Sequence, residues 1–277
     1  MAKGIGLIGN FKGKVGNMVG YKLTDSNSGN TQGIRVYQPI VKNPKTAAQA
    51  EQRAKLAPIN ATYRALKMVI DRGNEGLPYG NKSRLAWLKQ AFKAETMPWV
   101  EKGKSVKNPV IAQLSKGSLA GLGYNAQEDA MNISCTGMTD STSVATIGAL
   151  SSALKNAYPF LKDGDQITIV ECGRVGDSLQ GLVHSFVIDT TSSTPQTDLV
   201  ADAGMLVYNA FFNESAFAVI VSREGDNGEH LRSTASLVLV SDLATAAPYD
   251  TASKTAAIES YRSSAAVNAD WAEESIQ

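Results

Sequence analysis

The chain has 277 residues, 43% of them hydrophobic and 19% charged, with a formal net charge of +1. That length suits one large domain or two ordinary ones, and the apolar fraction can build real cores. No apolar run approaches the ~18 residues that span a bilayer, and the start, MAKGIGLIGNFKGK, lacks the apolar core and cleavage site of a signal peptide. Cys135 and Cys172 are the only cysteines, too few for a disulfide framework, which points to synthesis in a reduced, intracellular compartment.

The small net charge hides two opposed halves. Met1 to Leu122 holds 20 Lys+Arg against 6 Asp+Glu, a net +14; Gly123 to Gln277 holds the remaining 7 and 20, a net −13. Such a layout suits attraction between the halves, head-to-tail packing of identical chains, or an acidic partner for the basic half.

In chain order, Gly4 to Leu23 and Gly33 to Val41 read as two strands around the polar, glycine-rich stretch TDSNSGNTQ. The segment FKGKVGNMVGYKL carries Gly13, Gly16 and Gly20 among Lys12, Lys14 and Lys22. Its glycines predict bulges or close backbone approach, and its lysines an outward face. A helix start follows in KNPKTAAQAEQRAKL, with Asn43 as the cap and Pro44 at the first helical position. Leu56, Ile59, Tyr63, Leu66, Val69 and Ile70 then recur at helical spacing as one buried face, with a kink or break expected at Pro58. A third helix over about Asn81–Glu95 carries Leu85, Leu88 and Phe92 on one stripe.

Beyond Gly123 the pattern changes to short apolar runs between turns: MNISC, DQITIVEC, GLVHSFVID, GMLVYNAFF, AFAVIVSRE and TASLVLVSD. Asp163-Gly164 and EGDNGE mark turns, and ATIGALSSALKNAY interrupts the series as a helix stopped by Pro159. The expected class is α+β: a small basic N-terminal β-hairpin plus helices (residues 1–122), then a β-rich, sandwich-like domain with one or two helices (123–250), then a helical and mobile tail (251–277).

The residues offer no catalytic or metal constellation. His184 beside Ser185 and His230 after a turn are lone histidines, with no nucleophile-elbow pattern near them. GLIGNFKG lacks the βαβ context of a dinucleotide loop, and no P-loop string occurs. The acidic loop 223–230 could offer Asp226, Asn227 and Glu229 to a cation, but its spacing is not that of an EF-hand, and it reads better as a hairpin turn. The chain is therefore expected to be non-enzymatic, with no cofactor and no metal. The basic half offers Lys12, Lys14, Lys22, Arg35, Lys42 and Lys45 as candidate partner or phosphate contacts, with Tyr21 and Tyr37 available for stacking.

GKVGNMVGYK (Gly13–Lys22) followed by NPKTAAQAEQRAKL (Asn43–Leu56) resembles the hallmark of a family of Bacteroidota and Bacteroidota-phage proteins known only as a domain of unknown function. The match covers about the first quarter of the chain and rests on Gly13, Gly16, Gly20, Tyr21, Asn43, Pro44, Gln49 and Arg53, with Leu56 where the family often has phenylalanine. The resemblance implies a bacteriophage virion structural protein made in the host bacterial cytoplasm. Hydroxyl-rich, weakly charged strands and oppositely charged halves suit a homo-oligomeric ring, such as a head–tail connector or tail component, contacting itself and other virion proteins. Nucleic-acid binding through the basic half is the alternative.

Overall fold

The computed structural model describes residues 13–25, 29–37, 46–127, 130–135, 144–225, 228–239 and 248–263. The chain forms two compact units, Met1–Pro44 and Lys45–Gln277, of the expected α+β class.

The first unit is an antiparallel meander of β1 (Gly13–Val15), β2 (Met18–Asp25) and β3 (Gly29–Val36). The expected hairpin is present as β2–β3, with two differences. The first strand is broken by a two-residue turn at Gly16-Asn17, and the third begins at Gly29, so that much of TDSNSGNTQ is paired strand. Gly16 has φ +56 as the first central residue of that turn, the conformation a tight hairpin needs and a side chain resists. A Cβ on Gly13 or Gly16 would meet nothing within 4 Å, so these glycines serve backbone shape and not close approach.

The second unit is organised by β7 (Gln166–Val175) and β11 (Asn213–Glu224), paired along most of their length. Both faces of this pair are buried, and their side chains alternate between two cores. Ile167, Ile169, Phe217, Val219 and Val221 belong to one; Val170, Cys172, Ala216, Ala218 and Ile220 belong to the other. β8 (Ser178–Val187) extends the sheet beyond β7, while β12 (His230–Arg232) and β14 (Val238–Leu239) pair with β11.

The first core is closed by a second sheet in the order β5 (Tyr124–Gln127), β6 (Ala130–Ser134), β10 (Met205–Asn209), β9 (Val200–Asp202), and by α4 (Ile147–Ala157). Thr146 caps α4 by accepting from the Ala149 amide at 3.2 Å, and the helix ends before Pro159 as the sequence predicts.

The second core is closed by α1 (Ala47–Ala65), α2 (Lys67–Ile70) and α3 (Asn81–Ala91), together with β4 (Gln113–Ser115), which pairs with β13 (Ala235–Ser236). The division expected at Leu122/Gly123 therefore lies instead at Pro44/Lys45. The helices cannot separate from the β-rich part, because Ile59, Leu66, Ile70 and Trp87 share a core with β7 and β11. A last helix, α5 (Thr251–Ser263), lies along α1, with the Lys254 ammonium 3.4 Å from Glu51; the rest of the expected tail is outside the described residues.

Several helix details differ from expectation. Thr46 caps α1, accepting from the Gln49 amide at 3.3 Å, while Asn43 and Pro44 lie outside the described residues. The helix runs through Pro58 and breaks at Leu66 (φ −112, ψ 23). Proline still removes the amide that would bond the Ala54 carbonyl, but Pro58 itself sits on the buried face. Leu56 is 44% exposed, and the buried face runs through Ala50, Ala54, Ile59, Thr62, Leu66 and Ile70. Thr62 is tolerated there because its hydroxyl bonds the Pro58 carbonyl at 3.0 Å and accepts from the Val110 amide at 2.9 Å.

On α3 the buried stripe is Ser83–Trp87–Ala91, with Leu88 and Phe92 half-buried at its side and Leu85 49% exposed. Trp87, the largest apolar side chain on the helix, decides the rotation. Ser83 shares the core because its hydroxyl donates to the Ile70 carbonyl at 2.8 Å.

Gly181 marks the closest approach of sheet and helix, since a Cβ there would lie 2.4 Å from the Ala65 carbonyl oxygen. Gly181→Ala should therefore destabilise the protein by about 2 kcal/mol through overpacking against α1. Urea unfolding checks this; an unchanged midpoint would show that the α1–β8 contact yields freely.

Candidate interaction site

Three of the six sequence-predicted basic residues, Lys14, Lys22 and Arg35, are among the described ones. Lys14 and Arg35 share one face of the N-terminal sheet, since both stand opposite Val19, and the Lys14 ammonium lies 3.6 Å from the centre of the Tyr37 ring. Lys22 pairs with Gln32 and has the opposite parity in β2. Lys12, Lys42 and Lys45 lie outside the described residues. Among the resemblance residues, Gly13 and Gly20 are directly paired, Gly16 makes the turn, and Tyr21 pairs with Gly33. Gln49 supplies the amide that bonds the Thr46 cap, and Arg53 is half-buried on α1.

The other face of this sheet holds the row Val15–Met18–Val36, with Ile34 beside it. All four side chains are exposed, by 38 to 72%. No apolar side chain described in this unit is buried.

Both histidines sit against tyrosine rings. His184 packs against the Tyr208 ring, 5.3 Å between centres, with Nδ1 3.8 Å from Asp198; Ser185 follows it on the other face of β8. His230 stacks on Tyr79 at 5.9 Å. The expected turn near 223–230 is closed by the Gly225 amide donating to the Glu229 carbonyl at 2.7 Å. Asp226 and Asn227 lie outside the described residues, and no metal-binding cluster of His, Cys, Asp and Glu occurs among the described ones. Cys135 and Cys172 are buried, and burial raises both thiols above their ordinary range. Among the described residues no helix is long and apolar enough to cross a membrane.

A site that sequence reading missed is built on Glu171, fully buried in the middle of β7. Its Oε1 accepts from the Phe212 amide at 2.8 Å and the Phe211 amide at 2.9 Å, and the Ser215 hydroxyl lies 2.7 Å away. Tyr208 adds its hydroxyl at 3.4 Å to Oε2; burial first, then the Glu171 charge, raises that phenol above its usual range. The carboxylate thus clasps the loop between β10 and β11, using four donors to offset its desolvation.

The same loop holds Glu214 at φ +53, a left-handed conformation that costs a non-glycine residue about 1 kcal/mol or more. Asn108 donates to the Glu214 carboxylate at 3.2 Å, and Arg174 stands 3.6 Å from its other oxygen. What the clasp delivers to the surface is Phe211, 76% exposed and edge-on to Phe212. The only hint in the sequence was an acid inside DQITIVEC, a strand with apolar residues on both faces.

At the other end of β11 lies a groove of about 790 Å³. Its walls include Leu77, Leu85, Trp87 and Leu114, and its rim carries Lys82, Lys89 and Lys116. Glu75 fixes one side, accepting from the Ser118 amide at 2.9 Å and the Arg232 amide at 3.0 Å. The Trp87 indole N–H is buried there without a hydrogen-bond acceptor among the described residues. Neither a protein-family model, nor a curated protein, nor a solved structure matches this chain.

Removing the clasp should be expensive. Glu171→Ala leaves several buried donors without an acceptor and should cost about 3 kcal/mol or more of stability, with Glu171→Gln intermediate. Urea unfolding of the three proteins checks this; a loss below about 1 kcal/mol for the alanine variant would show that the loop is ordered by other contacts.

Proposed function

We propose that this chain is a non-enzymatic structural subunit that assembles with copies of itself, serving as a connector or tail-ring component of a bacteriophage virion. The observation that carries self-assembly is the N-terminal sheet. Three strands with no buried apolar side chain among the described residues gain little stability alone. Covering Val15, Met18, Ile34 and Val36 against another surface would contribute roughly 1–2 kcal/mol for each side chain. The +14 and −13 halves then give the assembly an orientation, since exposed ion pairs add little affinity but penalise like-with-like packing.

The virion setting, with other virion proteins as partners, is supported by the resemblance carried by Gly13–Lys22 and Asn43–Leu56. Lys14 and Arg35 on one face favour a second reading, nucleic-acid binding. That reading is the weaker because Lys14 already covers one face of the Tyr37 ring, which base stacking would need, and Lys22 has the opposite strand parity.

The double substitution Ile34→Lys with Val36→Lys places charge on the exposed apolar row of the full-length chain. Light scattering should show the wild type at a multiple of 29.4 kDa and the variant shifted toward one chain while still folded by circular dichroism. A wild type that stays monomeric at high concentration contradicts self-assembly. A wild type that binds random DNA with an affinity falling steeply with salt would favour the second reading.

A further inference from the structure

Single exposed apolar residues are common and need no explanation. Phe211 differs because the chain commits a buried carboxylate and a strained Glu214 to hold its loop still. A rigidly presented, largely exposed aromatic is the form that interface anchors take, because little side-chain and backbone freedom is left to lose on binding.

The groove has the complementary form. Leu77 and Leu85 are partly exposed over the buried Trp87 and Leu114. Knob and groove also lie at opposite ends of the central strand. Phe211 lies two residues before β11, whereas the groove wall at Glu75 and Ser118 is bonded to Arg232, the partner of Ser222 near the end of β11. Asn213 to Ser222 spans roughly 30 Å at the rise of an extended strand. Phe211 therefore cannot reach the groove of its own chain.

We infer that Phe211 of one copy seats between Leu77 and Leu85 in the groove of the next copy, making a heterologous, head-to-tail contact. This rests on the reading of the chain as a self-assembling subunit and adds a second contact to the one made by the N-terminal sheet. Such contacts close into a ring when the rotation between copies fits, and run on as a filament when it does not.

Charge agrees in sign. Lys82, Lys89 and Lys116 stand exposed at the groove rim. On the knob side, Glu214 follows Phe211 by three residues. In addition, Phe211 belongs to the Gly123–Gln277 stretch, whose net charge is −13, and the groove residues belong to the stretch whose net charge is +14. These charges orient the approach, and the apolar insertion supplies the affinity.

The test uses two full-length surface variants, Phe211→Ser with an intact groove and Leu85→Glu with an intact knob. Each alone should weaken self-association at least about 30-fold, the loss expected of an anchoring aromatic or of its pocket. Mixed together in the Ile34→Lys, Val36→Lys background, they should form a species of two chains and nothing larger, because one working knob meets one working groove and the remaining pair is dead. A mixture that stays at one chain by sedimentation overturns the pairing. Phe211→Ser assembling like the wild type also overturns it, while leaving the self-assembly reading intact. A monomeric wild type overturns both. Should either variant unfold, the doubly substituted chain Phe211→Cys with Leu85→Cys replaces it, since Cys135 and Cys172 are buried. Mild oxidation should give a ladder of linked chains on a non-reducing gel, and a single band at one chain overturns the inference.

Discussion

The fold depends on the pairing of β7 with β11 and on the burial of both faces of that pair. A two-strand unit covered on one side only could have been the wall of a separate β domain. Covered on both, it obliges residues from the two halves of the sequence to meet. Ile59, Leu66, Ile70 and Trp87 from the basic half reach one face, and Ile133, Leu150, Leu206 and Tyr208 from the acidic half reach the other. The alternation of β11, with Phe217, Val219 and Val221 one way and Ala216, Ala218 and Ile220 the other, sets large residues toward the sheet-on-sheet core and mostly small ones toward the helices. Helices approach the sheet closely where side chains are small, as they do again at Gly181.

This strand pair carries two buried carboxylates, with different solutions to the same problem. Near the start of β7, Asp165 is almost fully buried and meets Arg223 with two bonds, 2.6 and 2.7 Å, so a charge is matched by a charge. Toward the other end, Glu171 is satisfied by amides and hydroxyls without a cation among its hydrogen-bond partners. The ion pair locks a strand end to the turn before it. The amide clasp fixes a loop conformation, which is why Phe211 and the strained Glu214 are found there.

Much of this was legible in the residues. The strands MNISC, DQITIVEC and GMLVYNAFF, the helix stopped before Pro159, and the N-terminal hairpin follow from alternation, β-branched content and turn chemistry. The α1 cap was misplaced because Asn43-Pro44 and Thr46 offer equally good local chemistry, and local chemistry cannot rank them. The rotation of α3 was misread for a different reason: Leu85, Leu88 and Phe92 fit a helical stripe, yet burying Trp87 removes more apolar area, and Ser83 escapes penalty through a bond to a carbonyl thirteen residues earlier. The domain boundary was misplaced because composition and charge change at Leu122, whereas the core joining both sides of that point is made by contacts between residues far apart in sequence. Glu171 was invisible as a site for the same reason, since its donors lie 37 to 44 residues away.

Charge asymmetry, an uncovered apolar sheet face, and a clamped aromatic opposite an open groove share one explanation if the chain is built to meet its own copies. Each feature is a cost or a liability in an isolated molecule and a contact in an assembly. Electron microscopy of the purified full-length chain tests this account most directly. The account predicts closed rings of identical subunits, each joined to the next by Phe211 seated beside Leu85 of its neighbour; a field of isolated 29.4 kDa particles at high protein concentration would contradict it.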